Sequence, residues 1–326
     1  MNVVKMFDLG QTFGIATPAP IEIPGNEQAG PFTPPVNSEY FFRRDLVFDM
    51  VNFFVCGDVA MYLTGHKGSG KSTLVEQYHA RLNLPLYSVN VNPRTEIADL
   101  IGHWVLKGQE GMQFHYGPVA RAAKEGASVL LDEYNLLDPG IASGLNGALE
   151  GKEFYIPETE EVIRPREGFR IFATGNHDDG AGVYRGRQQG DAANEDRFWF
   201  LNVGYPTRDE EIPLVKRIWL EAGLDDSMSS QFATGMVEIA NKLRALFIGS
   251  SDAADAIEVT MSTRSLLRWA RLSVLFRGVE RRGSQPIHYA LERALTNRPI
   301  SPETKVAIHE IVKDVMGIDY TPQKTA

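Results

Sequence analysis

Gly65-His66-Lys67-Gly68-Ser69-Gly70-Lys71-Ser72 is the stretch on which the reading of this chain turns. It fits the spacing G-x-x-x-x-G-K-[ST] without a mismatch. Glycines let the backbone curl so that several N–H groups face one phosphate. The helical run from Ser72 to Leu82 then offers its positive dipole end to the same anion. Lys71 supplies a point charge for the outer phosphates of ATP, and the Ser72 hydroxyl is a ligand for Mg²⁺. The expected nucleotide contacts are Gly65, His66, Lys67, Gly68, Ser69, Gly70, Lys71, Ser72 and Thr73. Met61-Tyr62-Leu63, just before the loop, reads as a buried strand, so strand, loop and helix follow in the order this chemistry needs.

Outward from the loop, short apolar runs alternate with helical patterns. LPLYSVNV, SVLLDE and FRIFATGN read as strands; GPVARAAKEG and IASGLNGALEG read as helices; FYIPETEEVIRP reads as a small hairpin. This alternation predicts a parallel sheet with crossover helices on both faces. SVLLDEYN ends a strand on two carboxylates. Asp132 is placed to hold Mg²⁺ beside Ser72, and Glu133, one residue on, to orient or deprotonate an attacking water. FRIFATGN should lie beside the phosphate-loop strand and bring Asn176 near the γ-phosphate, where an amide helps to place that water. In EDRF, Arg197 has two readings. It serves a site on an adjacent subunit, where an arginine in trans is worth about 10³–10⁵ in rate, or it makes a surface ion pair with Glu195 or Asp196. Arg185 and Arg187 are further candidates for the first role.

Residues 1–39 are rich in Pro and Gly and read as an extended arm, ordered only against something else. A helical pattern opens at Tyr40 and runs to Phe54. After Gly204 only helices are expected: Thr207 with Glu210 spells a capping box, and Ser301-Pro302 is a helix start. The expected organisation is thus 1–39 arm, 40–204 α/β nucleotide domain and 205–326 helical domain. Arg264 falls in the first turn of a helix, where a cation opposes the dipole. Contact with an anion would explain it there, and Arg268 shares its face.

The bulk numbers bound the function. The 326 residues carry a net charge of −9, against the basic balance of a chain that lives on nucleic-acid phosphates. No apolar run reaches the ~18 residues needed to cross a bilayer, and the N-terminus lacks a signal-peptide core. The one cysteine, Cys56, stands in the apolar run VNFFVC and reads as buried. A reducing cytoplasmic setting is expected, with no membrane partner, and the acidic balance weighs against nucleic acid as a partner. Asp225-Asp226-Ser227-Met228-Ser229 fits a D-x-S-x-S metal motif but follows a helix and Gly223 rather than a strand, so it reads as a loop with Ser caps. His177 with Asp178 and Asp179 reads as a solvated loop, and RGVERRG as an exposed helix end.

DLIG (Asp99–Gly102), YGPVARA, LLDEYN, Leu149-Glu150, ATGN and DRF together make the chain resemble AAA+ ATPases. Within them it resembles the MoxR-like branch that includes the cobaltochelatase ATPase subunit. VYRGRQQ, ANEDRF and the FGI at Phe13–Ile15 extend the likeness to that subunit. The resemblance implies a three-layer α/β/α domain with a parallel sheet, followed by a smaller all-helical lid. It implies that Asn176 is sensor 1, Arg197 the arginine finger and Arg264 the sensor 2 arginine. It also implies a homo-oligomeric, hexameric ring with ATP between subunits, working with a protein that carries a von Willebrand A domain. Residues 103–117 match an insertion in helix 2 whose Trp104, Phe114 and Tyr116 either grip a client or pack on their own domain. The chain departs from the family in having Thr263 where proline precedes sensor 2, and HDDGAG after Asn176.

Four functions are consistent with these residues. The leading one is an ATP-driven, chaperone-like remodelling ring, acting on a partner protein for metal or cofactor loading. The others are a chelatase subunit acting on a tetrapyrrole, a DNA-dependent motor, and a nucleotide-regulated scaffold that does not hydrolyse. Glu133 argues against the scaffold and the acidic charge balance against the motor.

Overall fold

A computed structural model describes residues 3–108, 111–176, 195–249, 259–278 and 285–320. His177, Asp178, Asp179, Arg185 and Arg187, the VYRGRQQ run and most of RGVERRG lie outside these residues. The chain divides into two compact units, residues 1–66 with 70–204 and residues 67–69 with 205–326.

The first unit is built on five parallel strands: β3 (Ala60–Gly65), β4 (Leu86–Asn90), β7 (Ser128–Asp132), β10 (Arg170–Asn176) and β11 (Trp199–Asn202). Their order is β11-β3-β10-β7-β4. Both faces are apolar, with the two-residue period of a strand. Leu130, Phe172, Met61 and Leu63 enter one core, while Val129, Leu131, Ile171 and Ala173 enter the other. On the first face lie α2 (Arg44–Cys56) and α3 (Lys71–Arg81), which contribute Met50, Phe53, Leu74 and Val75. On the second lie α4 (Ile97–Ile101) and α5 (Pro118–Glu125), which contribute Leu100, Val119 and Ala122. This is the expected α/β/α arrangement. The chain leaves β3 for the β4 edge, returns through β7 and β10, then passes over β3 to β11. The switch point between β3 and β10 opens at the carboxyl ends of the strands, where open α/β sheets bind ligands.

Several local expectations are corrected. The 1–39 segment is not simply extended: β1 (Val4–Asp8) and β2 (Glu22–Asn26) pair antiparallel around α1 (Leu9–Phe13). Leu9 and Phe13 are buried, Phe13 stacking on Tyr78 at 5.3 Å. Asn26 and Asn83 exchange amide-to-carbonyl bonds of 2.9 and 3.0 Å. Farther on, Phe32 lies 4.5 Å from Tyr87 and its carbonyl accepts from Leu86 N–H, covering the β4 edge. Cys56 is exposed. VNFFVC is the last turn of α2, and its final two residues face solvent before the left-handed Gly57. IASGLNGALEG forms two short helices, α6 (Pro139–Gly144) and α7 (Asn146–Leu149). The insertion is an antiparallel hairpin, β5 (Gly102–Leu106) with β6 (Met112–Tyr116). Its aromatics divide: Trp104 is 44% exposed, whereas Phe114 and Tyr116 pack on the core and the Tyr116 hydroxyl donates to Glu161. The FYIPETEEVIRP hairpin is β8 (Phe154–Ile156) with β9 (Glu161–Ile163).

Among its described residues the second unit is helical: α8 (Arg208–Glu221), α9 (Asp226–Gly249), α10 (Thr263–Leu275), α11 (Pro286–Leu291) and α12 (Pro302–Met316). The Thr207–Glu210 capping box and the Ser301 cap both form. The expected loop at 225–229 is the start of α9, where Asp225 Oδ1 accepts from Met228 N–H at 3.0 Å. Trp269, Leu243, Met236 and Ile308 form its core. Among the described residues, no helix is long and apolar enough to cross a membrane.

Candidate functional site

The loop after β3 turns on glycines that no other residue replaces cheaply. Gly68 and Gly70 have φ of 77° and 99°, in the left-handed region that an L side chain rarely adopts. α3 opens at Lys71, so the first free N–H groups of an eleven-residue helix lie at the loop. The Ser69 hydroxyl is buried and has no hydrogen-bond partner among the described residues. A polar atom left so inside a cradle of amides fits an anionic ligand.

Parallel registry brings the distant residues here. Asn176 pairs with Gly65 across β10 and β3. The Lys71 ammonium donates to Asn176 Oδ1 at 3.0 Å and to the carbonyls of Gly65 and His66 at 2.9 and 3.0 Å. Lys71 is only 8% exposed, so its charge is held largely out of water. From the other side, Ser72 Oγ donates to Asp132 Oδ1 at 2.5 Å. A hydroxyl beside a carboxylate is a hard-oxygen donor pair of the kind Mg²⁺ takes next to a phosphate. Glu133 is exposed and has φ 60°, ψ 38°, a left-handed conformation for a non-glycine residue. Such outliers cluster at functional sites.

Lys71, Ser72, Asp132, Glu133 and Asn176 thus converge at the carboxyl ends of three adjacent strands. Arg197 is elsewhere in the same unit. Its Nε donates to Glu150 Oε1 at 2.7 Å, a partner 47 residues away and neither of the two neighbours considered from sequence. The Lys152 ammonium, and after it the Arg197 guanidinium, hold the Glu150 carboxyl below the usual carboxylate range. Arg264 and Arg268 belong to the second unit and are exposed on α10.

Sequence missed one pairing and one participant. Glu150 belongs to the Leu149-Glu150 motif, but its pairing with Arg197 had no local signal. Thr174 had one: it lies two residues before Asn176 on β10, on the same face. It is 1% exposed, donates to Asp132 Oδ1, and accepts from the Glu133 N–H at 3.1 Å. In the second unit, Thr263 Oγ1 donates to the fully buried Glu211 at 2.6 Å, a bond that a proline at this position would lack.

The family model "AAA domain (dynein-related subfamily)" matches residues 60–198, and "CbbQ/NirQ/NorQ C-terminal" matches residues 220–315. Aerobic cobaltochelatase subunit CobS of Sinorhizobium sp is 28% identical over 274 residues, 82% of this chain and 80% of that one. Protein NorQ of Paracoccus denitrificans is 29% identical over 266 residues, 80% of this chain and 87% of that one. Midasin of Dictyostelium discoideum is 30% identical over 210 residues, 64% of this chain but 3% of that much longer one. With its α/β part matched by one model and its helical part by the other, the chain is a MoxR-like AAA+ ATPase resembling the cobaltochelatase subunit CobS.

Proposed function

We propose that this protein hydrolyses ATP and uses the energy to remodel a partner protein. The observation that carries this reading is the convergence of Lys71, Asn176, Ser72, Asp132 and Glu133 at one sheet switch point. In this reading the loop amides and Lys71 hold the phosphates. Ser72 and Asp132 hold Mg²⁺, which when bound neutralises charge on the phosphate oxygens. Glu133 takes a proton from the attacking water and Asn176 orients it. Arg197 serves the site of a neighbouring subunit, with Glu150 keeping its guanidinium extended until that neighbour is engaged. Arg264 links nucleotide state to the helical lid.

Proteins of this family usually form oligomers, and we assign this chain to a hexameric ring. Its partner on this reading is a protein with a von Willebrand A domain, and its client a protein that receives a metal or cofactor. A second reading, subunit of a chelatase-type complex, is favoured by the 82% of this chain that aligns with CobS. Steady-state ATPase and nucleotide-binding assays on purified protein test the first step. Lys71→Ala should lose binding, while Arg197→Ala should bind as wild type and lose turnover by about 10³-fold or more. Normal hydrolysis by both variants would refute the assignments. Stimulation by duplex DNA would instead favour a motor.

A further inference from the structure

The Thr174 hydroxyl stands between the two acidic residues of the site. It donates to Asp132 Oδ1 and accepts the Glu133 N–H at 3.1 Å. Ser72 donates to the same Oδ1 at 2.5 Å, so two hydroxyls fix one carboxylate oxygen and the other remains for a cation. The accepted N–H belongs to the peptide between Asp132 and Glu133, and Glu133 has the left-handed φ of 60°. A backbone in that region persists only where its surroundings hold it. The support is rigid. Thr174 is buried, its register partner on β3 is Leu63, and a Cβ on the next residue, Gly175, would stand 2.1 Å from the Tyr62 hydroxyl. β10 is therefore clamped to β3 on one side and to β7 on the other.

We propose that Thr174 is a positioning residue that sets, through one hydroxyl, both the Asp132 carboxylate that takes the cation and the Asp132–Glu133 peptide that aims the general base. The role rests on the ATP-hydrolysing reading of the site and goes beyond it. Asp132 and Glu133 are not adjusted separately: cation binding and water activation share one joint. Asn176 leaves the same strand two residues on, so a shift of β10 moves all three groups together.

The test compares wild type, Thr174→Val, Thr174→Ser and Thr174→Ala. Affinity for a fluorescent ATP analogue is measured in EDTA and in MgCl₂, beside kcat, KM and the thermal midpoint of the nucleotide-free protein. Valine keeps the shape and removes the hydroxyl; alanine removes it without bulk. Both should bind the analogue in EDTA as wild type does. Both should lose most of the Mg²⁺-dependent tightening, and kcat should fall by about 10²-fold, the low end of what a positioned base contributes. Serine, which keeps the hydroxyl, should restore tightening and kcat to within about threefold, a range small against that loss. Wild-type tightening and turnover in Thr174→Val would overturn the role, as would equal impairment of the serine variant, which would point to methyl packing. Lys71→Ala separates the two levels of argument. If it binds the analogue as well as wild type, the nucleotide reading falls and the Thr174 role falls with it. If it loses binding while Thr174→Val behaves as wild type, only the Thr174 role falls.

Discussion

Each unit buries a polar cluster, and the two clusters are built to opposite ends. In the second unit Arg244 and Glu211 are 4% and 0% exposed and meet through two bonds, of 2.7 and 2.9 Å. Two further donors are occupied as well: Arg244 Nε reaches the Met261 carbonyl at 2.7 Å and Nη1 reaches Asn241 at 3.0 Å. Thr263 completes Glu211. Such a cluster has strong internal partners and serves geometry, pinning the start of α10 to α8 and α9. In the first unit the Lys71 ammonium donates to two carbonyls and to the Asn176 amide oxygen, at the carboxyl ends of the strands. A closed ion pair locks a fold, whereas groups gathered at the open ends of three strands are placed to meet a ligand.

That contrast predicts where substitutions act. The largest effect falls on Glu133→Gln, which should bind ATP with its fold intact and lose kcat by about 10²–10⁴; turnover equal to wild type would remove the base from the open cluster. Next is the closed cluster. Glu211→Gln leaves a buried guanidinium without its counter-ion and should cost about 3–5 kcal/mol in the urea unfolding of the helical unit, with nucleotide affinity hardly changed. A smaller loss would mean that the pair is wetter than its burial indicates.

Acid should then separate the units. His79 is buried in α3 and accepted into place by the Val75 carbonyl at 2.7 Å. Burial pushes its pKa down to about 4. The native state therefore refuses a proton that the unfolded chain accepts below about 6.5. Stability from this group is full above that value and drains as pH falls toward 4. The loss between pH 7 and pH 5 comes to about 2 kcal/mol, and unfolding at both pH values with His79→Leu, which removes it, is the check. Burial also lowers His288 and His309 in the second unit. His79→Leu should thus spare only the α/β unit. The smallest effect is at the rim of the first unit: the Arg197–Glu150 pair is partly open to solvent, and Glu150→Gln should leave the thermal midpoint nearly unchanged. A larger shift would make Arg197 structural instead of available to a neighbour.

What the sequence disclosed was what repeats locally. Glycine spacing exposed the loop, apolar runs the strands, and Thr207 with Glu210 a helix start. Asp132 and Asn176 were legible because parallel strands must end together. What stayed hidden depends on residues far apart in the chain. Leu9 and Phe13 sit among prolines and glycines, and nothing nearby says that Tyr78 and Phe42 await them. Glu150 meets Arg197 across 47 residues and Glu211 meets Arg244 across 33, where side-chain periodicity says nothing. Cys56 misled because the helix runs two residues past Phe54 and those last two positions turn to solvent.

The Asn26–Asn83 amide exchange also has a consequence during synthesis. Its two halves are 57 residues apart, so at about 5–20 residues per second the first waits roughly 3–11 s on the ribosome for the second to be made. Until Tyr78 has been made, Phe13 lacks the ring it stacks on, so a nascent chain halted before that residue would leave this side of the core open. A chaperone that samples emerging chains has its best opportunity there, and arrest sequences placed on either side of residue 83 would show the tether closing as a change in pulling force.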